Sequence, residues 1–322
     1  MKHQRKRQKK PFRFVILMAV VIVLAAGAVA AVRHYRSAPT AAGPLPTHLP
    51  HAPESYIGVY SPQAPSSWAG IAAFETKTGV TPDVAMYYSG WYEGFQVSFA
   101  TTAARQGAVP LVQIDPEHIN LAKITDGTYD GFLTKYASEV RTYRHPVIIS
   151  FGHEMNGNWY DWGYQHTPPK VFVAAWRHIV TVFRQQGTRN VTWLWAVNVI
   201  DTKRAIPNPG QWWPGRSYVN WVGIDGYYLK PSWKFAPLFG PTITAVRRLT
   251  QDPILVAETG AVAAAGQPAK IADLFAGIHD YGLLGFVWFN ATNSVNQSFG
   301  ITTPAARAAF RQGATTYGKL SS

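Results

Sequence analysis

The 322-residue chain has no cysteine, four methionines and only 15% charged residues. The missing thiols exclude a disulfide framework, a thiol nucleophile and any thiolate metal site. They leave export open, since many secreted proteins of this size hold together without disulfides. Acidic residues are also few, 17 against 30 Lys and Arg, and residues 1–36 hold nine of the basic ones and no acidic one. Without that segment, 21 basic residues face 17 acidic ones, a net charge of +4 instead of +13. The basicity therefore belongs to one end. A nucleic-acid partner, which would require a basic stripe on the folded domain, is not indicated. No Gly-rich phosphate loop follows any apolar run, no Gly-x-Ser-x-Gly nucleophile elbow is present, and no repeat of solenoid length recurs. What remains, 47% apolar and 14% aromatic, is ample for a core of one large or two ordinary domains.

The basic end has a second feature. Lys2, Arg5, Lys6, Arg7, Lys9, Lys10 and Arg13 precede an uncharged run from Phe14 to Val32. As a helix that run would span roughly 28 Å, close to the hydrocarbon thickness of a bilayer. Residues 1–13 are expected to stay cytoplasmic and residues 14–32 to act as a signal anchor or a cleaved signal peptide, Ala28-Val29-Ala30 offering a cleavage site. The domain beyond is then expected outside the cytoplasm, on the cell membrane or secreted. Residues 33–53 include Pro39, Pro44, Pro46, Pro50 and Pro53 among small and polar residues and read as an extended spacer.

From residue 54 to 322 short β-rich apolar runs alternate with helical patterns. The runs are Tyr56–Tyr60, Val84–Tyr88, Pro110–Ile114, Val147–Phe151, Val191–Val197, Trp221–Asp225, Ile254–Glu258 and Gly285–Phe289. Their near-continuous apolarity suits parallel strands covered on the outside. Between them, Phe172, Ala175, Trp176, Ile179 and Phe183 form an inward stripe on a helix over Lys170–Gln186. Asp130–Tyr143 and Pro268–Tyr281 read the same way. Eight β-then-α units in about 265 residues match a (β/α)8 TIM barrel, with a doubly wound sheet as the alternative.

In such a barrel, chemistry sits at the C-terminal strand ends. Strand 4 runs into His153-Glu154-Met155-Asn156-Gly157-Asn158-Trp159-Tyr160, and strand 7 runs into Glu258-Thr259-Gly260. Two carboxyl groups facing across a cleft are the apparatus of glycoside hydrolysis, one ionised, one protonating the leaving oxygen. Aromatic residues crowd the same ends. They are Trp159, Tyr160, Trp162 and Tyr164 after strand 4, Tyr227 and Tyr228 after strand 6, and Trp288 on strand 8. Such faces stack on pyranose rings. Competing chemistries fail on specific positions. His153-Glu154 starts like the zinc-protease motif, but residue 157 is Gly where the second histidine belongs. Asp115 and Glu117 after strand 3 could form a cation site with a third ligand, but read more simply as a solvated loop.

The segment His153–Tyr160 resembles the signature of the family 26 glycoside hydrolases, best known as endo-β-1,4-mannanases. The resemblance covers roughly residues 54–320 and implies a retaining barrel enzyme that needs no metal or organic cofactor. It implies Glu154 as general acid/base, Glu258 as nucleophile and His153 positioning substrate and carboxyl, while Asn158, Trp159 and Trp162, from their place after strand 4, are expected at the substrate. Tyr227 resembles a tyrosine that hydrogen-bonds the nucleophile, and Trp288 a tryptophan flooring the cleavage subsite. Two departures stand out. Val112-Gln113-Ile114-Asp115-Pro116 lacks the Trp/His pairing often found after strand 3, and Ser150 stands where many relatives carry arginine. The expected partner is a β-linked polysaccharide, most simply β-1,4-mannan. A glucan or the cell's own exopolysaccharide is the enzymatic alternative, and a non-catalytic polysaccharide-binding barrel the alternative of another class.

Overall fold

The computed structural model describes residues 49–319. The segments read as cytoplasmic tail and signal helix (1–13 and 14–32), and the spacer up to residue 48, lie outside the described residues. Among those described, no helix is long and apolar enough to cross a membrane. The spacer's last residues pack against the domain. Leu49 is buried with Tyr56 and Trp221, the Tyr56 hydroxyl donates to the Pro50 carbonyl (2.8 Å), and Trp221 Nε1 donates to His51 Nδ1 (2.9 Å).

Eight parallel strands close a barrel in sequence order. They are β1 (Tyr56–Tyr60), β2 (Val84–Gly90), β3 (Val109–Asp115), β4 (Val147–Phe151), β5 (Val191–Asn198), β6 (Trp221–Tyr228), β7 (Ile254–Ala261) and β8 (Gly285–Phe289). Helices α1 (Ala69–Thr78), α2 (Val97–Arg105), α3 (Ala122–Thr125), α4 (Asp130–Tyr143), α5 (Pro169–Gln185), α6 (Phe235–Arg247) and α7 (Gln267–Asp280) lie between them, and α8 (Pro304–Thr316) follows β8. The expected one-helix-per-strand pattern fails twice. Two helices, α3 and α4, follow β3, and β5 is followed only by 3₁₀ turns at Thr202–Arg204, Pro209–Trp212 and Arg216–Tyr218. Pro207, Pro209 and Pro214, with Gly210 and Gly215, deny that stretch the backbone donors and the stiffness a longer helix needs.

Alternation along the strands sorts side chains into two layers. Ile57, Val59, Ile149, Trp193, Ile224, Phe286 and Trp288 face outward against the helices, including the α5 stripe of Phe172, Ala175, Trp176, Ile179 and Phe183. Met86, Leu111, Ile148, Leu194, Leu255 and Val287 fill the barrel. Gly223 is required there, since a Cβ would lie 2.9 Å from the Cβ atoms of both Ala196 and Ala257. Toward the C-terminal end the inward positions turn polar, with Gln113, Ser150, Asn198, Asp225 and Glu258 all buried.

Candidate active site

The two glutamates reach the mouth by different backbone devices. On β7 the pairing shifts from Gly223↔Leu255 to Asp225↔Glu258 on one side and from Val256↔Phe286 to Thr259↔Trp288 on the other. The strand thus holds one residue more than either neighbour just before Glu258. Strict alternation from Leu255 and Ala257 would aim residue 258 outward; the bulge turns it in. After β4 the chain turns sharply, with Gly152 (φ +54°) and then Glu154 (φ +53°) both left-handed. A non-glycine residue there is strained, a cost concentrated at functional sites. The Glu154 N–H donating to the Ala196 carbonyl (3.0 Å) ties the turn to β5. This segment is a series of turns, so its His-Glu pair never lies on a protease-type helix.

Each carboxylate has its own donors. Glu258 accepts the Tyr227 hydroxyl at Oε1 and the Tyr88 hydroxyl at Oε2. Glu154 accepts the Asn198 amide at Oε1 and the Trp159 indole N–H at Oε2 (2.8 Å). His153 lies buried beside them, its Nδ1 2.9 Å from Asp115 Oδ1 and its Nε2 3.2 Å from the Tyr160 hydroxyl. Asp115 is therefore an ion partner of His153 and not part of a solvated loop. Among the described residues no cluster of three or more His, Asp or Glu side chains is placed to hold a metal.

Burial and the Glu154 charge push Glu258 up toward about 7, against the pull of His153 and the two tyrosine hydroxyls. Burial opposes charge on His153, but the charge and hydrogen bond of Asp115, with Glu154 and Glu258 nearby, raise it to about 10 and keep it an imidazolium. Asp225 is raised well above the carboxylate range by burial and by the charges of Glu258 and Glu154. Neither of its carboxyl oxygens has a hydrogen-bond partner.

Of the residues expected at the substrate, Trp159 is 43% exposed beside Glu154, and Tyr227 and His153 touch or adjoin the carboxylates. Asn158 is exposed, with its carbonyl 3.0 Å from His166 Nε2. Trp162 is fully buried and cannot floor a sugar. It stacks under Tyr160 (centroids 4.2 Å apart, planes at 11°) and donates Nε1–H to the His153 carbonyl (2.8 Å), so it fixes the loop from behind. Trp288 is also fully enclosed. It faces outward with Val59, meets Phe310 of α8 edge-on, and donates to the Phe299 carbonyl (2.9 Å). Its neighbour Phe289 takes the inward place, stacked on Tyr60 (4.8 Å) and edge-on to Tyr227 (5.8 Å). Tyr228 is buried against Phe239, and Tyr164 packs on Trp212. Sequence reasoning missed Tyr88, Asn198, Asp225 and Phe289. The available signal was parity, since Tyr88, Asn198 and Phe289 each stand two residues beyond an inward-facing Met86, Ala196 or Val287.

Residues 117–266 match the model of glycosyl hydrolase family 26. Endoglucanase H of Acetivibrio thermocellus is 28% identical over 272 residues, covering 80% of this chain and 30% of the endoglucanase. The mannan endo-1,4-beta-mannosidase A and B of Caldalkalibacillus mannanilyticus is 28% identical over 86 residues, 24% of this chain and 16% of that protein. The chain thus spans less than a third of the curated relatives it matches. In fold it is similar to the GH26 beta-mannanase from Bacteroides ovatus, with TM-score 0.59 and 14% identity over 83% of this chain and 89% of that one. A Cellulomonas fimi endo-beta-1,4-mannanase double mutant gives TM-score 0.62 and 16% identity over 80% and 70%.

Proposed function

We propose, from the match of residues 117–266 to the model of glycosyl hydrolase family 26, that the chain is a retaining endo-β-glycanase acting outside the cytoplasm, tethered by or released from its apolar N-terminal segment. Its substrate is a β-linked polysaccharide, in the first instance β-1,4-mannan, in keeping with the mannanase and endoglucanase names of its relatives. One observation carries the reading. Two buried glutamates from β4 and β7 share the barrel mouth, each gripped by two separate donors, with the charge of one raising the other.

The donors assign the roles. Two phenol hydroxyls and a nearby imidazolium favour Glu258 as the anion that attacks, which leaves the proton-donor role to Glu154 in the proposed reaction. Glu258 attacks the anomeric carbon while Glu154 protonates the departing oxygen. The glycosyl–enzyme forms, Glu258 loses its charge, and Glu154, now a carboxylate, takes a proton from a water that attacks the same carbon as the bond to Glu258 breaks and the Glu258 carboxylate leaves. His153, pinned between Asp115 and Tyr160, positions the segment and supplies a fixed positive charge beside both carboxylates.

The test is reducing-end release by the full chain from galactomannan, glucomannan, barley β-glucan, cellulose and β-1,3-xylan, with anomeric NMR of the same reactions. Cleavage of one backbone with the β-anomer appearing first is expected. An α-anomer first would overturn retention, and binding without cleavage across the panel would favour the non-catalytic barrel.

A further inference from the structure

The barrel mouth continues into a cavity of about 450 Å³ between the chain following β5 and the loop from β6 to α6, within the range of small-molecule sites. Its inner end is lined by Asn198 and Tyr227, the side chains that grip Glu154 and Glu258. A polymer seated for cleavage therefore has a neighbouring unit at its entrance. Trp233, Leu238 and Val199 give apolar walls, and the rim carries Lys203, Arg204 and Lys234.

The rim is built rather than loose. Asp201 and Ile206 exchange backbone hydrogen bonds (3.2 and 2.9 Å), and Ala205 turns the chain in the left-handed region (φ +54°). Asp201, the only acidic residue lining the cavity among the described residues, is already engaged. Its Oδ1 accepts the Lys203 and Arg204 N–H groups (3.0 and 3.3 Å), and its Oδ2 accepts Arg204 Nε–H (3.1 Å). That bond fixes the guanidinium at one edge and leaves its two outer nitrogens without a partner among the described residues, the fork that fits a carboxylate. Lys203 Nζ has no acidic partner there either, and Lys234 Nζ lies 3.9 Å from Asp273, whose other oxygen already receives the Phe235 N–H (2.7 Å).

Resting on the hydrolase reading above, we propose that this cavity is a subsite for an acidic sugar, a pyranose bearing a carboxylate, in the polymer next to the point of cleavage. The ring lies against the apolar wall with Trp233, and the carboxylate meets Arg204 and Lys203. The preferred polymer is then a β-glycan with uronate or similarly carboxylated units, and a wholly neutral mannan is the poorer substrate.

The experiment compares glucomannan with the same glucomannan after partial oxidation of its C6 hydroxymethyl groups to carboxylates, using the full chain. The carboxylated polymer should be cleaved with about tenfold higher kcat/KM, the effect of one charge-assisted hydrogen bond, and added salt should erode the difference. Lys203→Glu with Arg204→Glu should reverse the preference, and Lys203→Glu alone, which leaves the Arg204–Asp201 bond in place, should weaken it. Affinity electrophoresis through gels holding either polymer reads binding without turnover. If no polymer is cleaved, the hydrolase reading fails, yet tighter retention by the carboxylated gel that is lost on charge reversal would still support the subsite. Equal rates and equal retention on both polymers, or a preference that survives charge reversal, would overturn it.

Discussion

Tyr88→Phe removes one hydroxyl and leaves the ring edge-on to Tyr60 (5.0 Å), so its effect reports on one hydrogen bond. That hydroxyl donates to Glu258 Oε2, with Tyr227 on the other oxygen. A hydrogen bond to a charged group contributes about 1.5–3 kcal/mol, and one pH unit corresponds to about 1.4 kcal/mol. Part of the loss is recovered because neutral Glu258 can donate to a neighbour, which leaves a rise of roughly one unit. Glu258 already lies above the carboxylate value of 4.5 through burial and the charge of Glu154. The acid limb of the kcat/KM profile should therefore move to higher pH by about one unit. At any pH below both limbs the rate should fall about tenfold, because a tenfold smaller fraction of Glu258 is ionised. Tyr227→Phe should act in the same direction, and the double variant should shift the limb further than either alone. A profile with its acid limb unmoved in Tyr88→Phe would refute the view that these hydroxyls hold the nucleophile as an anion.

Gly152→Ala should lower both melting temperature and turnover, since Gly152 is left-handed (φ +54°) and a Cβ would lie 2.9 Å from the Phe172 ring; calorimetry and initial rates check it. Glu258→Gln should abolish activity yet raise the melting temperature. The folded protein holds this group above its unfolded value of 4.5, toward about 7, so native Glu258 costs nothing below pH 4.5, and the cost grows as pH rises to about 7 and stays above it. The gain on removing its charge should follow that window and reach several degrees, at roughly 2–4 °C per kcal/mol for a domain of this size. Trp288→Phe should appear mainly as lost stability, because Trp288 is sealed against Phe310, whereas Phe289→Ala should raise KM; thermal melts and saturation kinetics separate the two.

The strands were legible because barrel strands are apolar on both faces. Tyr56–Tyr60, Val147–Phe151 and Gly285–Phe289 coincide with the observed elements. Where strands end in function the pattern fails. β5 continues to Asn198, β6 to Tyr228 and β7 to Ala261, through polar inward residues that interrupt the apolar run. The glutamates stood out as acids at strand ends, but the backbone that aims them did not. The β7 bulge sets two consecutive residues, Ala257 and Glu258, toward the interior, and only pairing with both neighbours reveals it. Tyr88 reaches Glu258 across 170 residues of sequence, a contact set by barrel closure. Trp288 misled because an aromatic residue at a strand end signals a sugar platform only on the inward parity, and it shares the outward parity of Phe286.

The assignment of Glu258 as nucleophile and Glu154 as acid/base meets its most direct test in azide rescue. Glu258→Ala leaves room for azide on the nucleophile's side of the sugar and should yield the α-glycosyl azide. Glu154→Ala, given a substrate with an activated leaving group, should form the glycosyl–enzyme and release the β-glycosyl azide. Full activity in either variant without azide, or the opposite anomer from either, would contradict the account.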